Sequence, residues 1–183
     1  NQLTGCTRAV AGTAAVHATA SIVTQAVNQF TSLHHLEGVS VSILGDGATH
    51  PERTVSAGAI TLARYVTKAH VGINYQSTLK TMRIESGAVD GTAQGKIKRL
   101  QHATLRLYRS VGIKVGESET KTDLIPFRSS SQRMDQAISL FTGDKQIEFD
   151  GGYDTDGFVT VIQDQPLPLT LLGIYVRLQT FDT

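Results

Sequence analysis

Residues 172–179 have the sequence Leu-Gly-Ile-Tyr-Val-Arg-Leu-Gln, in which every second side chain is apolar. Side chains alternate between the two faces of a β-strand, so this pattern predicts a strand with one apolar face. The same alternation occurs in residues 39–43, 104–108, 113–115 and 159–161. Gly-containing turn sequences separate these runs, as in hairpins. The sequence therefore predicts a mainly β, antiparallel chain with little helix.

One segment has helical spacing instead. Met134, Ile138 and Phe141 are three or four residues apart, and Ser131 is placed to cap the start, so we expect at most one or two helical turns here. The preceding residues, Glu117 to Arg133, are polar, contain Pro126 and show no period. They predict a long loop at about residues 117–135.

The spacing of runs and turns predicts three parts of the chain. Residues 1–28 are interpreted as an N-terminal stub or strand of unplaced architecture. Residues 29–68 contain several short runs, enough for a small antiparallel β-barrel or sandwich. Residues 69–183 are expected to form a second antiparallel β-sheet domain, a C-terminal platform that carries the long loop.

Composition limits the function classes. The chain has 183 residues, a formal net charge of +1 and a single cysteine, Cys6. An intrachain disulfide is therefore excluded, and the near-neutral charge argues against a dedicated nucleic-acid-binding domain. Residues 9–36 contain no Asp, Glu, Lys or Arg, but their many polar side chains argue against a membrane-spanning segment.

No motif indicates catalysis or a cofactor. The acidic loop containing Asp150, Asp154 and Asp156 resembles a calcium loop superficially, but its twelfth residue is Val161 rather than Glu. A hairpin loop is the favoured interpretation. The histidines lack the converging donors that a zinc site needs. We therefore expect no catalytic residues, no metal and no cofactor, and we expect that the chain is not an enzyme.

Charge is segregated along the sequence. Between Gly91 and Gly116 there are six basic residues and no acidic ones: Lys96, Lys98, Arg99, Arg106, Arg109 and Lys114. Two interpretations stay open, a face that contacts phosphates and a set of solvated strand edges or subunit contacts. The second is favoured.

A series of short motifs resembles the nozzle, or tail tubular B, proteins of short-tailed phages. It begins with Leu33-His34-His35-Leu36-Glu37-Gly38-Val39 and Leu44-Gly45-Asp46-Gly47, followed by Val55 and Gly58. It ends with the run from Gln163 to Ile174, Gln-Asp-Gln-Pro-Leu-Pro-Leu-Thr-Leu-Leu-Gly-Ile. The resemblance covers about residues 27–183, and the order of the motifs is its specific feature.

The resemblance implies a structural role in the virion. Proteins of this family form a ring of six copies below the portal and adaptor, and the ring retains the packaged genome and then passes it. It implies contact with copies of the same chain, with a tail adaptor or other tail proteins, and transiently with double-stranded DNA. Localisation would be the virion tail, after assembly in the host cytoplasm.

Three sets of residues are candidates for that role. Asp123, Arg128 and Arg133 lie in the long loop and are expected to form a lumen or gate element. Leu172, Ile174 and Val176 are expected to form an interface strand, and Asp150, Asp154 and Asp156 an acidic lining. Two alternatives stay open, a glycan-binding β-sandwich module of a tail or surface protein and, more weakly, a tail-associated hydrolase.

Overall fold

The computed structural model describes residues 25–85 and 92–181. Twelve strands are found in these residues, with one three-residue 3-10 turn at His34–Leu36. The strands are β1 (Val27–Phe30), β2 (Ser40–Gly45), β3 (Ala48–Thr54), β4 (Ile60–Val66), β5 (Ala69–Gly72), β6 (Ser77–Lys80), β7 (Ile97–Ser110), β8 (Lys114–Ser118), β9 (Lys121–Leu124), β10 (Phe141–Glu148), β11 (Thr160–Gln163) and β12 (Leu171–Phe181). All pairings are antiparallel, which confirms the predicted fold class. Cys6 and most of the proposed stub lie outside the described residues.

The first unit is built from two small sheets, with strand orders β3-β2-β5 and β1-β4. Asp46 and Gly47 connect β2 to β3 with φ angles of 49° and 81°, the left-handed pair that a two-residue hairpin requires. Both sheets contribute to one buried cluster: Val41, Ile43, Val55, Ile60, Leu62 and Val66. Because β5 pairs with β2, the first sheet continues to Gly72, past the expected boundary at residue 68.

The second unit also has two sheets. One has the strand order β10-β7-β12 and the other β6-β11-β8-β9. Their facing sides share a second buried cluster, which includes Leu105 and Leu107 of β7, Val115 of β8 and Val161 of β11. No residue belongs to both clusters.

Two expectations for residues 117–141 are wrong. The predicted loop at 117–135 contains the β8–β9 hairpin, and the irregular segment is residues 125–140. Lys121–Leu124 form a strand because β8 supplies their backbone partners, although their own side chains show no apolar alternation. Residues 131–140 form turns and bends rather than helix, because Phe141 belongs to β10 and contacts Phe127, with ring centres 5.8 Å apart.

The two units meet along the segment from Gln163 to Pro168. The Gln163 side-chain amide donates to the carbonyls of Gln165, at 3.1 Å, and Leu167, at 2.8 Å, which folds the segment on itself. Asn74, in the connection between the units, donates to the Asp164 carbonyl at 3.1 Å. A cavity of about 560 Å³ lies between this segment and residues 42–44 and 70–75. The joint is therefore made by loops and is incompletely filled.

Candidate interaction surface

The outward face of the β10-β7-β12 sheet concentrates charged and aromatic side chains. Arg106 of β7 donates from Nε and Nη2 to the two carboxylate oxygens of Asp144 on β10, at 2.8 and 2.9 Å. On the other side, the guanidinium carbon of Arg106 lies 5.3 Å from the ring centre of Tyr175 on β12. The paired hydrogen bonds lower the pKa of Asp144 and raise the pKa of Arg106. The ion pair and the cation–π contact fix this row of the sheet.

A second row on the same face is not paired within the subunit. Arg177 of β12, His102 of β7 and Glu148 of β10 are neighbours in the strand register. In the part of the chain that the structure describes, neither Arg177 nor Glu148 has an ion pair or a side-chain hydrogen bond. This row therefore presents a positive charge at one edge of the sheet and a negative charge at the other.

All five tyrosines of the chain are exposed: Tyr65, Tyr75, Tyr108, Tyr153 and Tyr175. Tyr108 and Tyr175 lie on the outward face of the same sheet, and Tyr153 packs edge-on against Phe181 with ring centres 5.0 Å apart. Tyrosine and arginine are enriched where proteins contact other molecules. Tyr108 and Tyr175 therefore expose aromatic rings on this face, whereas Tyr65 lies in β4 and Tyr75 lies between β5 and β6.

No protein-family model matches the sequence, and no curated protein is significantly similar to it.

The three residues of the predicted interface strand lie on different faces of β12. Leu172 is 62% exposed, whereas Ile174 and Val176 pack inward against the second core. A register irregularity between Leu171 and Gly173 turns Leu172 outward, which the simple alternation could not indicate. In addition, β12 lies at an edge of its sheet rather than at the centre.

The three residues proposed for the loop do not lie together in one loop. Asp123 belongs to β9, where it pairs with Val115 of β8. Arg128 donates to the carbonyls of Arg133 and Gln136, so its guanidinium closes the irregular segment on itself. The segment begins at a buried residue, Ile125, so it has an apolar anchor that the polar composition concealed.

The acidic loop is held by basic neighbours. Asp156 forms an ion pair with Arg83 at 2.9 Å, and the backbone of Asp154 exchanges two hydrogen bonds with that of Lys98. Asp150 lines a separate shallow cavity beside Arg99. Within residues 25–85 and 92–181, no group of three His, Cys, Asp or Glu side chains is arranged to hold a metal ion.

Three of the six residues of the basic segment, Lys98, Arg106 and Lys114, bind groups of the same subunit. Lys98 is only 2% exposed, and its ammonium donates to the Thr155 carbonyl at 3.2 Å. Lys114 forms an ion pair with Asp164 beside the joint, and Arg106 pairs with Asp144. Arg99 is exposed, 6.0 Å from the ring centre of Tyr153. The sequence analysis did not predict the burial of Lys98, because lysine is almost never fully buried unless it is paired.

A structural clamp also escaped the sequence analysis. The Glu37 carboxylate accepts hydrogen bonds from the backbone N–H groups of Ala57, at 2.8 Å, and Gly58, at 2.7 Å. Both residues have positive φ, 52° and 66°, and their N–H groups converge in this turn.

The described residues contain no helix long and apolar enough to cross a membrane.

Proposed function

We propose that the chain is a structural subunit of a short-tailed phage tail, within a nozzle or tail-tube ring that retains the genome and passes it during ejection. Its partners would be other copies of the chain, a ring of six, together with a tail adaptor or other tail proteins and, transiently, double-stranded DNA. In this proposal the chain is not an enzyme, and it acts in the virion tail after assembly in the host cytoplasm.

The observation that carries the proposal is the structural use of the motifs that resemble this family. Glu37 and Gly58, from the first motif group, form the turn clamp of the first unit. The Gln163–Pro168 segment, from the last group, forms the joint between the units. These motifs support a specific two-unit architecture rather than a reaction centre.

The exposed sheet face supports assembly as well. A rigid sheet with a fixed Arg106–Asp144 pair and exposed tyrosines offers a preorganised contact surface. Charged rows at its edges favour one orientation of a partner over others.

Electron microscopy of the purified chain tests the proposal. We expect ring-shaped particles with sixfold symmetry and a central opening, and sedimentation that depends on protein concentration. A chain that remains monomeric at the highest soluble concentration would contradict the proposed function.

A salt titration tests the proposed relation to DNA. A conduit has to pass the duplex without gripping it. Each phosphate that the protein neutralises would steepen the fall of log K with log salt concentration by about 0.9. We expect weak duplex binding by the rings at physiological salt, unchanged in Arg99→Ser and Arg109→Ser. Tight binding that these substitutions abolish would mean that the ring holds DNA by charge.

The exposed Tyr75 favours a second candidate function, glycan binding. Its side chain is 79% exposed at the rim of the 560 Å³ cavity, where a sugar ring could stack on it. Screening against a panel of bacterial surface glycans tests this function, with Tyr75→Ala as the variant and Tyr65→Ala as the control. Binding lost only in the Tyr75 variant would support the glycan-binding module over the conduit.

A further inference from the structure

The β10-β7-β12 sheet has a long free edge. Strand β12 has eleven residues and contains neither proline nor lysine, which commonly protect sheet edges. Register irregularities lie at Leu171–Gly173 and Arg177–Leu178, and the strand is regular from Gly173 to Arg177. Among the other edge strands, β5, β6 and β9 have four residues each and β3 contains Pro51. Strands β4 and β10 are longer, with seven and eight residues, and β10 contains Lys145. In the described residues, the outer edge of β12 has no strand partner. Its backbone groups form a ready template for another strand.

The two edge strands of this sheet carry opposite charges at the same register position. Glu148 on β10 and Arg177 on β12 both lie in register with His102 of the central strand. Two strand spacings, roughly 9–10 Å, separate their backbones, and no ion pair joins them. A second copy could bring the two charges together if its β10 edge lay beside the β12 edge of the first.

We propose that copies of the chain join head to tail through this sheet, with β12 of one copy pairing with β10 of the next. Since β10 and β12 are both antiparallel to β7, the new pairing is parallel and continues the sheet across the contact. It places Arg177 beside Glu148 of the next copy and Tyr175 beside Gln146 of the next copy. This inference rests on the proposed ring function and identifies the contact that builds the ring.

The contact is heterologous, because two different edges meet. A heterologous contact repeats around a ring when the rotation closes, whereas a contact between two β12 edges would stop at a dimer. Opposite charges at adjacent strand positions favour the correct register, and like charges there oppose it. Charge reversal at either edge should therefore weaken assembly, and a dimer of two β12 edges would be insensitive to Glu148.

Complementary charge reversals test the contact. We expect Arg177→Glu and Glu148→Arg each to weaken self-association by about tenfold or more in sedimentation, a loss of about 1.4 kcal/mol per contact. A mixture of the two variants should assemble again, with the copies alternating, because every contact then joins Glu to Arg. Gln179→Glu on the same face of β12 is a control for added negative charge, and circular dichroism and a thermal melt confirm that each variant is folded.

A cross-link tests the register directly. A variant that combines Tyr175→Cys and Gln146→Cys in one Cys6→Ser chain should give a ladder of covalent oligomers on oxidation. The ladder would be visible on a non-reducing gel. Within one copy, the two cysteines are separated by β7 and are too far apart for a disulfide. Each single-cysteine variant should give no ladder.

The outcomes separate this contact from the function on which it rests. If rings persist in both reversal variants and the double-cysteine variant gives no ladder, the edge contact is overturned and the conduit function still stands. A wild-type chain that does not assemble, together with a double-cysteine variant that gives no ladder, would overturn both. Recovery of assembly in the mixture, together with the ladder, would support the contact.

Discussion

At the scale of single residues, two carboxylates organise the turns of the first unit. Glu37 accepts the N–H groups of Ala57 and Gly58, and Asp46 accepts the N–H and hydroxyl of Thr67 and the N–H of Lys68. Both carboxylates link segments that are about twenty residues apart in sequence. In these turns, hydrogen bonds to a carboxylate take the place of the backbone pairing that holds strands together.

Glu37→Gln should destabilise the chain by about 1–2 kcal/mol, because an amide has one acceptor oxygen for the two converging N–H groups. The measurement is the urea unfolding midpoint. Glu119→Gln is the matched control, since Glu119 is exposed and has no side-chain partner in the described residues. Equal midpoints for the two variants would mean that water replaces the clamp at no cost.

The contribution of Asp46 to the free energy of unfolding should be lost at acid pH. Hydrogen bonds from Thr67, and then from Lys68, hold the pKa of Asp46 below its ordinary value of 3.8. Its contribution is therefore fully present above pH 3.8 and is lost as the pH falls through the lowered folded-state pKa. Asp46→Asn keeps a residue that tolerates the positive φ of the hairpin. The stability gap between wild type and Asp46→Asn should be constant near neutrality and shrink in acid; a gap that does not change down to about pH 2 would contradict the assignment.

At the scale of elements, β12 has one face that packs in the second core and an outward face that belongs to the proposed assembly contact. Ile174 faces the second core and Leu172 faces solvent on the same strand. Ile174→Asp should cost about 3–5 kcal/mol, because it places an unpaired charge against the core, and should abolish soluble folding. Leu172→Asp should retain the fold. Circular dichroism and soluble yield compare the two variants, and an Ile174→Asp protein that is well folded would show that this strand is dispensable.

The alternation of apolar residues predicted the elements whose side chains decide their own structure. Residues 40–43 lie in β2 and residues 104–108 in β7, the strands that contribute Val41, Ile43, Leu105 and Leu107 to the cores. It missed β9, whose pairing comes from β8. The separate helical spacing of Met134, Ile138 and Phe141 indicated helical turns that the structure does not contain. Strand order and edge position depend on contacts between distant segments, so the exposure of Leu172 and the burial of Lys98 could not be predicted from local pattern.

At the scale of the whole molecule, the chain has two separate cores. Ile43 in the first core and Leu105 in the second are both fully buried. Replacing either with alanine should cost about 2–5 kcal/mol, but each substitution should lower only the thermal transition of its own unit. Scanning calorimetry distinguishes the units. A single transition that both substitutions shift equally would show that the joint couples the units fully.

The joint also determines how the chain responds to tension. In the described residues, the Asn74 side chain reaches the Asp164 carbonyl from the connection between the units, and a cavity of about 560 Å³ lies beside this contact. A pulling force along the chain would part the two units before either sheet system ruptures, since strand ladders resist shear through many hydrogen bonds at once. The second unit would then release more than twice the length of the first, because it contains the greater part of the described chain. In the proposed tail ring, the joint would be the compliant element and the sheets the rigid ones.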